Sequence, residues 1–594
     1  MGAFAVRILS KYTAVEPAWQ DIGLSLSSMA WRVTAPLRSM LHWIRQTGGS
    51  APASAPPFCI ILPLGAAADP RSVTAAWNQL GGQWRLHLVE TDPLPDAVTR
   101  TVEAASADSR VIRQGGISPR LTLQDGVRHI MVAASGCILA KGALDRVAAE
   151  AAAYPDADLI YADEDWADAY WTDEDRADNA STDAEGRSRQ PFLKPAWSID
   201  LALEQDLVGG FCMFRRALFE RLGALLAPNG RTVQDLALRV AVDAGRIRHI
   251  PAILSHRTGE LPVGPSAATV EAVIAGWQHG PSRPRLIPSS YGHGRNRIRW
   301  DLRAPAPPVS VIIPTRDRAE LLARCVEGVL HRTDYPTLEL IIADNDSREP
   351  ETLCLLAKLG RDPRVRVLPA PGPFNYSAIN NAAAAAATGE VLVLLNNDID
   401  VIGPGWLREL VGHAVRPDVG AVGARLLFGN GLIQHAGVVL GVGEFEGGPG
   451  IAGHFGFHAP ATEEGHGGQF VLTREVSAVT GACMALRRSV FQQVGGLDEV
   501  GLAVALNDVD LCLRIRALGL RIIWTPFAEL HHLESASRGS DQAPGAAERF
   551  RQECRTLRDR WGPVLDADPF YNPGFSRADH SFQLATPPPA ATGL

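Results

Sequence analysis

Long apolar runs, paired cysteines and an excess of basic residues are all missing from this chain of 594 residues, and each absence excludes a class of protein. No uninterrupted apolar stretch approaches the roughly 18 residues of a membrane-spanning helix. The first residues, MGAFAVRILSKYTAVEPAW, lack the apolar core of a signal peptide, so a cytoplasmic location is expected. The eight cysteines (59, 137, 212, 325, 354, 483, 512, 554) form no Cys-x-x-Cys pair. Most lie in apolar runs, where a thiol behaves as a small hydrophobe, and this suits a reducing compartment. A net charge of −8 offers no basic face, so no nucleic-acid partner is expected, and an anionic small molecule needs a local device such as a metal ion. No Gly-rich, Lys-containing phosphate loop follows the candidate first strand, which argues against a nucleotidyltransferase.

What is present is enough apolar material for large cores. With 46% hydrophobic and 21% charged residues the chain reads as an ordinary globular protein, and its length suits about three or four units of roughly 100 to 200 residues. Two Pro/Ala-rich stretches, QTGGSAPASAPP (46–57) and DLRAPAPP (301–308), each precede a short apolar run, FCIILPL and VSVIIPT. The likeness continues: GGFCMFRRALFERLG (209–223) pairs without gaps with GACMALRRSVFQQVG (481–495), and DLALRVAVDAGRIRHIP (235–251) with DLCLRIRALGLRIIWTP (510–526). Such repetition means two copies of one domain. The acidic stretch from LIYADEDWADAYW to RSRQ (159–189) reads as an insertion without counterpart.

The expected organisation is an N-terminal helical or linker segment (1–56), a first copy (57–260), a linker of one helix and irregular chain (261–306), a second copy (307–540), and a C-terminal helical extension and tail (541–594). Residues 25–45 interleave Trp, Leu and Met with Arg, which suits packing on the protein or, alternatively, peripheral association with an anionic inner-membrane surface.

Each copy alternates apolar runs with helical patterns. In the second, AELLARCVEGVLHRT places Leu321, Leu322, Cys325, Val326, Val329 and Leu330 on one helical face, and SAINNAAAAAATG reads as an Ala-rich helix closed by Gly389. This alternation gives an α/β fold, a mostly parallel sheet flanked by helices, whose ligands bind beyond the carboxyl ends of the strands. At those ends stand Thr315 and Arg316, Asp344 and Asp346, and Asp398 and Asp400, while Asp508 and Asp510 precede a helix. Period-2 alternation points Asp398 and Asp400 the same way, about 6 to 7 Å apart. Carboxylates so gathered need a cation such as Mg²⁺ shared with substrate phosphates. Taken alone, NND before GPG is equally an Asx-rich turn.

VSVIIPT, IIADNDS, NNDID, TGACMALRRSVFQQVGGLDE, NDVDLCLR and ELHHLESASRG, in this order over residues 309–539, together resemble a bacterial family 2 glycosyltransferase of the GT-A fold. The tail ERFRQECRTLRDRWGPVLDADPFYNPGF and the segment WRVTAPLR (31–38) resemble the tandem-domain type. The resemblance implies two tandem GT-A-like domains and hexosyl-type transfer from a nucleotide-sugar donor to a hydroxyl of a glycan or lipid-linked acceptor, in surface polysaccharide or lipopolysaccharide synthesis. It implies Mg²⁺ or Mn²⁺ and inversion without a glycosyl-enzyme intermediate. Residue by residue, Pro314, Thr315 and Asp344 match positions that hold base and ribose, and Asn380 an asparagine of the nucleotide side. Asp398 and Asp400 match the Asp-x-Asp that meets ribose and metal, and Asp508 matches the catalytic base. Asn507 stands where the family often has Glu. His532, beside His531, matches a late histidine at the metal or diphosphate. The implied assignment is therefore nucleotide-sugar binding by Pro314, Thr315, Asp344, Asn380 and Asp398, metal at Asp400 and His532, and catalysis by Asp508.

His454, His458 and His466, in the Gly- and His-rich stretch 441–470, lack metal-site spacing, so a flexible solvated loop is expected there rather than a lid over the acceptor. In the first copy, anchoring Leu144 on Leu407 sets AASGC (133–137) against NNDID, with Ser135 for Asp398 and Cys137 for Asp400, and DLALR against DLCLR sets Val233 at Asp508. That copy reads as degenerate, kept for packing, acceptor binding or partner contact. Its His256, Asp163, Glu164 and Asp165 carry no assigned chemistry. The competing reading is a non-catalytic carbohydrate- or nucleotide-binding scaffold in which both copies are degenerate.

Overall fold

The continuously apolar runs become the inner strands of two twisted sheets. The computed structural model describes residues 58–66, 68–81, 84–115, 126–134, 136–167, 181–182, 188–221, 232–243, 245–258, 264–277, 280–291, 295–533, 544–578 and 582–585. The expected N-terminal segment, with residues 25–45, lies outside them. In the first sheet the spatial order is Val111–Gly115, Trp84–Glu90, Phe58–Leu64, His129–Ala133, Phe211–Arg215, Leu159–Ala167, Ile247–Thr258 and Cys137–Leu139. In the second it is Val365–Pro369, Leu338–Asp344, Val309–Thr315, Val391–Leu395, Cys483–Arg487, Val419–Leu427, Arg521–His532 and Ile399–Val401. The two orders match strand for strand. Four parallel strands lead, and Cys483–Arg487 then runs antiparallel to both neighbours. Helices on both faces bury Val309–Thr315 and Val391–Leu395 at every position, as a two-sided parallel sheet requires.

Register corrects the alignment of the two copies. Phe58 pairs with His129 as Val309 pairs with Val391, and Cys137 pairs with Arg257 as Ile399 pairs with His532. Asp398 therefore corresponds to Gly136, not Ser135, and Asp400 to Ile138, not Cys137. The one-residue error arose from a helical anchor, and strand ladders are the stricter ruler because a slip of one residue flips every side chain to the other face. The same ladders place Leu159–Ala167 on Val419–Leu427, so YADED is not an insertion: Glu164 and Asp165 occupy the positions of Leu426 and Leu427.

The helix Ala319–His331 buries Leu322, Cys325, Val326, Val329 and Leu330, with Leu321 half-buried. The Ala-rich helix spans Tyr376–Ala386 and is capped at Ala387, so Gly389 does not close it. Gly389 instead lies against strand Val309–Thr315, where a Cβ would come within 2.5 Å of the Ser310 nitrogen. The stretch 261–306, expected as one helix and irregular chain, contains the helix Ala267–Ala275 and, where irregular chain was expected, a seven-pair antiparallel ladder, Ser282–Pro288 with Asn296–Leu302.

Contacts between the copies knit residues 49–594 into one compact unit. Asp200 of the first copy binds Arg416 Nη1 and Arg521 Nη1 of the second, each at 2.6 Å. The C-terminal helix Pro544–Leu565 is tied to the second copy by Arg560 and Trp561, which donate to Asp510 at 2.7 and 2.9 Å. Beyond it, Asn572 Nδ2 donates to Asp163 of the first copy at 2.8 Å.

Candidate active site

The carboxyl edge of the second sheet collects the singled-out side chains from four strands and two helices. Thr315 and Asp344 end neighbouring parallel strands and are direct Cα partners. Thr315 Oγ1 accepts from Asn397 Nδ2 at 3.0 Å, and Asp344 Oδ1 accepts the backbone N–H of Ser347 at 3.1 Å. Asp317 Oδ1 accepts the N–H groups of Glu349 (2.8 Å) and Arg348 (2.6 Å), bonds that hold its carboxyl below the usual range. Together with Pro314 these residues form one stitched wall. Asn380 is fully buried on the helix Tyr376–Ala386: its Nδ2 donates to the Tyr376 carbonyl at 2.8 Å, and its Oδ1 has no hydrogen-bond partner.

Asp398 and Asp400 do not share one strand. Val391–Leu395 ends, residues 396–398 turn, and Ile399–Val401 pairs antiparallel with Arg521–His532. The expected period-2 alternation is broken by that turn, and the two carboxylates acquire different partners. Asp398, 4% exposed, has its Oδ1 3.1 Å from His532 Nε2, and that oxygen has no hydrogen-bond partner. Asp400 binds Arg332, which also donates to the Val401 carbonyl at 2.7 Å. The structure thus joins His532 to Asp398 rather than to Asp400. His531 stands opposite Asp400 in the ladder, and its Nδ1 lies 3.3 Å from the Phe428 carbonyl.

A second layer orients His532. Its Nδ1 lies 2.5 Å from Gln434 Oε1, which assigns the proton to Nδ1 and leaves the Nε2 lone pair toward Asp398 and Asn396 Nδ2, the latter at 3.3 Å. Gln434 also accepts from His454 Nδ1 at 3.0 Å through its carbonyl, and His454 packs edge-on against His435. Burial pushes the His435 imidazole well below its ordinary pKa, aided by His454, Arg474 and His532, so it is neutral. The stretch 441–470 is exposed at many positions, as expected of a solvated loop, but is packed in part. Ala452–His454 pairs with Val438–Leu440, Phe455 is fully buried, and His466 Nε2 accepts the Leu193 N–H of the first copy at 3.1 Å. His458 alone of its histidines is exposed.

Asp508 lies in the first turn of the helix Asn507–Ala517, where the dipole favours a carboxylate. Its Oδ2 accepts the Gly481 N–H and its Oδ1 the Val509 N–H, both at 2.8 Å, leaving each oxygen a lone pair. Tyr376 OH donates to the Gly481 carbonyl at 3.0 Å. Thr480 to Ala482 connects the parts: Thr480 N donates to His435 Nε2 at 3.4 Å, and Asn396 N to the Ala482 carbonyl at 3.0 Å. Asp510, in contrast, is fully buried on Arg514, Arg560 and Trp561 and takes no place in the site. Among the described residues no three His, Cys, Asp or Glu side chains are grouped to hold a metal ion, and no helix is long and apolar enough to cross a membrane.

Gln434 and His435 were not legible as site residues beforehand. The available signal was a polar pair inside the apolar run GLIQHAGVVLG, which a buried strand does not carry without partners.

Two mixed α/β sheets of one strand order, flanked by helices, with carboxylates at the strand ends of the second, are the frame within which the comparisons fall. Residues 310–495 match the family model for glycosyl transferase family 2, and the chain carries a family 2 glycosyltransferase domain. An uncharacterized protein of Sinorhizobium fredii is 39% identical over 455 residues, 73% of this chain and 47% of that one. The O-antigen biosynthesis protein RfbC of Myxococcus xanthus is 39% identical over 450 residues, 73% of this chain and 33% of that one. The chain thus spans less than half the length of either relative. An N-acetylglucosaminyl-diphospho-decaprenol L-rhamnosyltransferase of Mycobacterium tuberculosis is 28% identical over 268 residues, 42% of this chain and 84% of that one. A solved mannosyltransferase of Pyrobaculum calidifontis, in complex with GDP-Man and Mn²⁺, covers 44% of this chain and 76% of its own at 18% identity and a TM-score of 0.28, too remote to bear on function.

Proposed function

We propose that this chain moves a hexosyl unit from a nucleotide sugar to a hydroxyl of a glycan or lipid-linked acceptor in surface polysaccharide or lipopolysaccharide synthesis, by single inverting displacement, in the cytoplasm. The observation that carries the proposal is the buried Asp398 Oδ1, which has no hydrogen bond and sits 3.1 Å from an imidazole Nε2 whose other nitrogen is pinned by Gln434. A carboxylate this deep is normally satisfied within the protein. An unbonded oxygen beside an oriented imidazole lone pair suits Mg²⁺ or Mn²⁺ with the remaining positions filled by phosphate oxygens.

Asp398 and His532 are accordingly the residues assigned to hold the ion, with Asp400 adjoining on its arginine partner. When bound, the ion supplies Lewis-acid neutralisation of the departing diphosphate. Pro314, Thr315, Asp344 and Asn380 form the nucleotide wall. Asp508 accepts the acceptor proton, held in place by the Gly481 and Val509 N–H groups. The first copy is assigned a supporting role without chemistry. The description of one relative as an O-antigen biosynthesis protein and another as a rhamnosyltransferase supports the acceptor class.

The test is a panel of UDP-, GDP- and dTDP-sugars assayed for metal-dependent release of nucleoside diphosphate, alone and with a lipid-linked acceptor. Turnover of one donor that disappears with chelator is the expected result. Binding of a donor without turnover under any condition would instead identify a non-catalytic scaffold.

A further inference from the structure

The strand Ile433–His435 lies between the two halves of the candidate site and sends one side chain to each. It pairs antiparallel with the end of Val419–Leu427. Successive side chains of a strand point to opposite faces, so Gln434 and His435 diverge from adjacent positions. Gln434 reaches His532 and through it the side of Asp398. His435 reaches the other way, to Thr480, whose backbone N–H donates to its Nε2 at 3.4 Å. The next residue, Gly481, gives its N–H to Asp508 Oδ2 at 2.8 Å and accepts the Tyr376 hydroxyl on its carbonyl at 3.0 Å.

Three features give His435 a purpose beyond packing. First, its strand is fixed, as a brace must be: Ile433 N donates to the Ala459 carbonyl at 2.8 Å, His454 Nδ1 to the Gln434 carbonyl at 3.0 Å, and Arg474 Nη2 to the Ala436 carbonyl at 2.6 Å. Second, the ring is fully buried and its Nδ1 has no hydrogen-bond partner. Accepting the Thr480 N–H at Nε2 assigns the ring proton to that unbonded Nδ1. A phenylalanine of similar shape would avoid an unsatisfied buried nitrogen, so what the imidazole adds is the one acceptor that meets Thr480. Third, that contact falls on the backbone just before the peptide that holds Asp508, where a small displacement re-aims the Gly481 N–H.

We propose that His435 is a positioning residue for Asp508: its Nε2 holds the Thr480–Gly481 backbone, and the Gly481 N–H in turn fixes the carboxylate. Its neighbour Gln434 does the same for His532, so one three-residue strand sets the two halves of the site against each other. The role in catalysis rests on the reading of Asp508 as the base.

The experiment follows amide hydrogen exchange at Thr480 and Gly481 in the full-length protein by fragment-resolved mass spectrometry. Steady-state kinetics with the donor that turns over accompany it. The variants are His435→Phe, His435→Asn, His435→Gln and Gln434→Leu. A glutamine is long enough to set an acceptor oxygen near the place of Nε2, and an asparagine is not. In His435→Phe and His435→Asn the two amides should exchange about tenfold faster, the order expected from one lost hydrogen bond. Their kcat should fall about 10- to 100-fold, with donor KM and Mn²⁺ affinity unchanged. His435→Gln should restore most of the protection and of kcat, whereas Gln434→Leu should leave the exchange at Thr480 and Gly481 as in wild type. Melting temperatures check each fold, and if His435→Phe does not fold, asparagine against glutamine carries the same comparison. The proposal is overturned by unchanged exchange in folded His435→Phe and His435→Asn, by faster exchange with undiminished kcat, or by a loss of Mn²⁺ affinity equal to that of Gln434→Leu. Equal losses in His435→Gln and His435→Asn overturn it too. If wild type turns over no donor, the transferase reading fails on its own, and the exchange at Gly481 still decides whether His435 supports Asp508.

Discussion

The two copies share one strand order and differ in what stands at the same edge. In the second, His532 faces an unbonded carboxylate. In the first, the matching residue is Arg257, and the matching edge is filled by the protein's own charges: Arg257 Nη1 lies 3.4 Å from Asp206 Oδ2 and 3.7 Å from Glu164 Oε1, and Lys194 Nζ is 3.5 Å from the same oxygen. Glu164 Oε2 takes the Gly210 N–H at 2.7 Å, and Asp206 takes the Gly209 N–H at 2.9 Å, the residue matching Gly481. A Cβ on Gly209 would fall 2.2 Å from Glu164 Oε1, so the carboxylate lies hard against the backbone. A fixed guanidinium and ammonium supply permanently the positive charge that the second copy would borrow from an ion. The same sheet can therefore end in an open acidic site or a sealed ion-pair cluster, and the difference lies in a few side chains, not in the fold.

That contrast can be broken at its strongest point first. Asp508→Ala should lower transfer by about 10² to 10⁴-fold, the usual worth of a general base, with donor binding retained. Val233→Ala, at the matching place in the first copy, should leave steady-state rates unchanged. Next, Lys194→Ala leaves Glu164 buried and under-paired, and urea titration should show a loss of about 3 to 5 kcal/mol. Its ammonium also donates to the carbonyls of Ala162 (2.8 Å) and Val208 (2.7 Å), so Lys194→Met should fare little better. Gln434→Leu frees the His532 ring and should weaken Mn²⁺ affinity, measured with bound nucleoside diphosphate, by about 10- to 100-fold. An unchanged affinity would separate His532 from the metal.

The seam between the copies makes a pH prediction. Burial raises the Glu204 carboxyl to about 8, partly opposed by the Thr473 and Ile298 N–H groups, and burial raises Glu475 to about 6 against the pull of Arg521. Acids whose folded values lie above the unfolded value take up protons on folding, so stability should fall as pH rises from about 4.5 through about 8. Asp200 acts oppositely. Burial would raise it, but Arg416 and Arg521 overcome that and hold it well below the carboxylate range, so its contribution is already complete in this window. Melting temperatures across pH 5 to 8 should decline, and Glu204→Gln should flatten the decline. The smallest effect is expected from Cys137→Ala, which removes a buried thiol pushed up to about 12 by burial and should leave transfer nearly intact.

Much of the fold was legible because burial on both faces forces continuous apolar strands, and VSVIIPT and VLVLL declare themselves without any partner in view. The repeat was legible through GGFCMFRRALFERLG and its counterpart, whose pairing the ladders reproduce. The pairing of AASGC with NNDID was off by one because a helix tolerates sliding where a ladder does not. The candidate site was legible as a set of carboxylates but not as a geometry. That Asp398 meets His532 while Asp400 meets Arg332 depends on a turn at 396–398 and on a strand more than a hundred residues later. Gln434 was missed for the same reason, since its function exists only through contact with His532.

The sequence by itself determined the α/β class, the doubling of the domain, and the lack in the first copy of counterparts to Asp398, Asp400 and Asp508, because local hydrophobic period and residue identity are properties of short segments. Only the tertiary structure decided which carboxylate faces the histidine, that the acids of YADED seal the first copy, and that a histidine-rich loop packs in part against both copies. Each of these rests on side chains brought together from distant segments, where burial makes every polar group find a partner or await one.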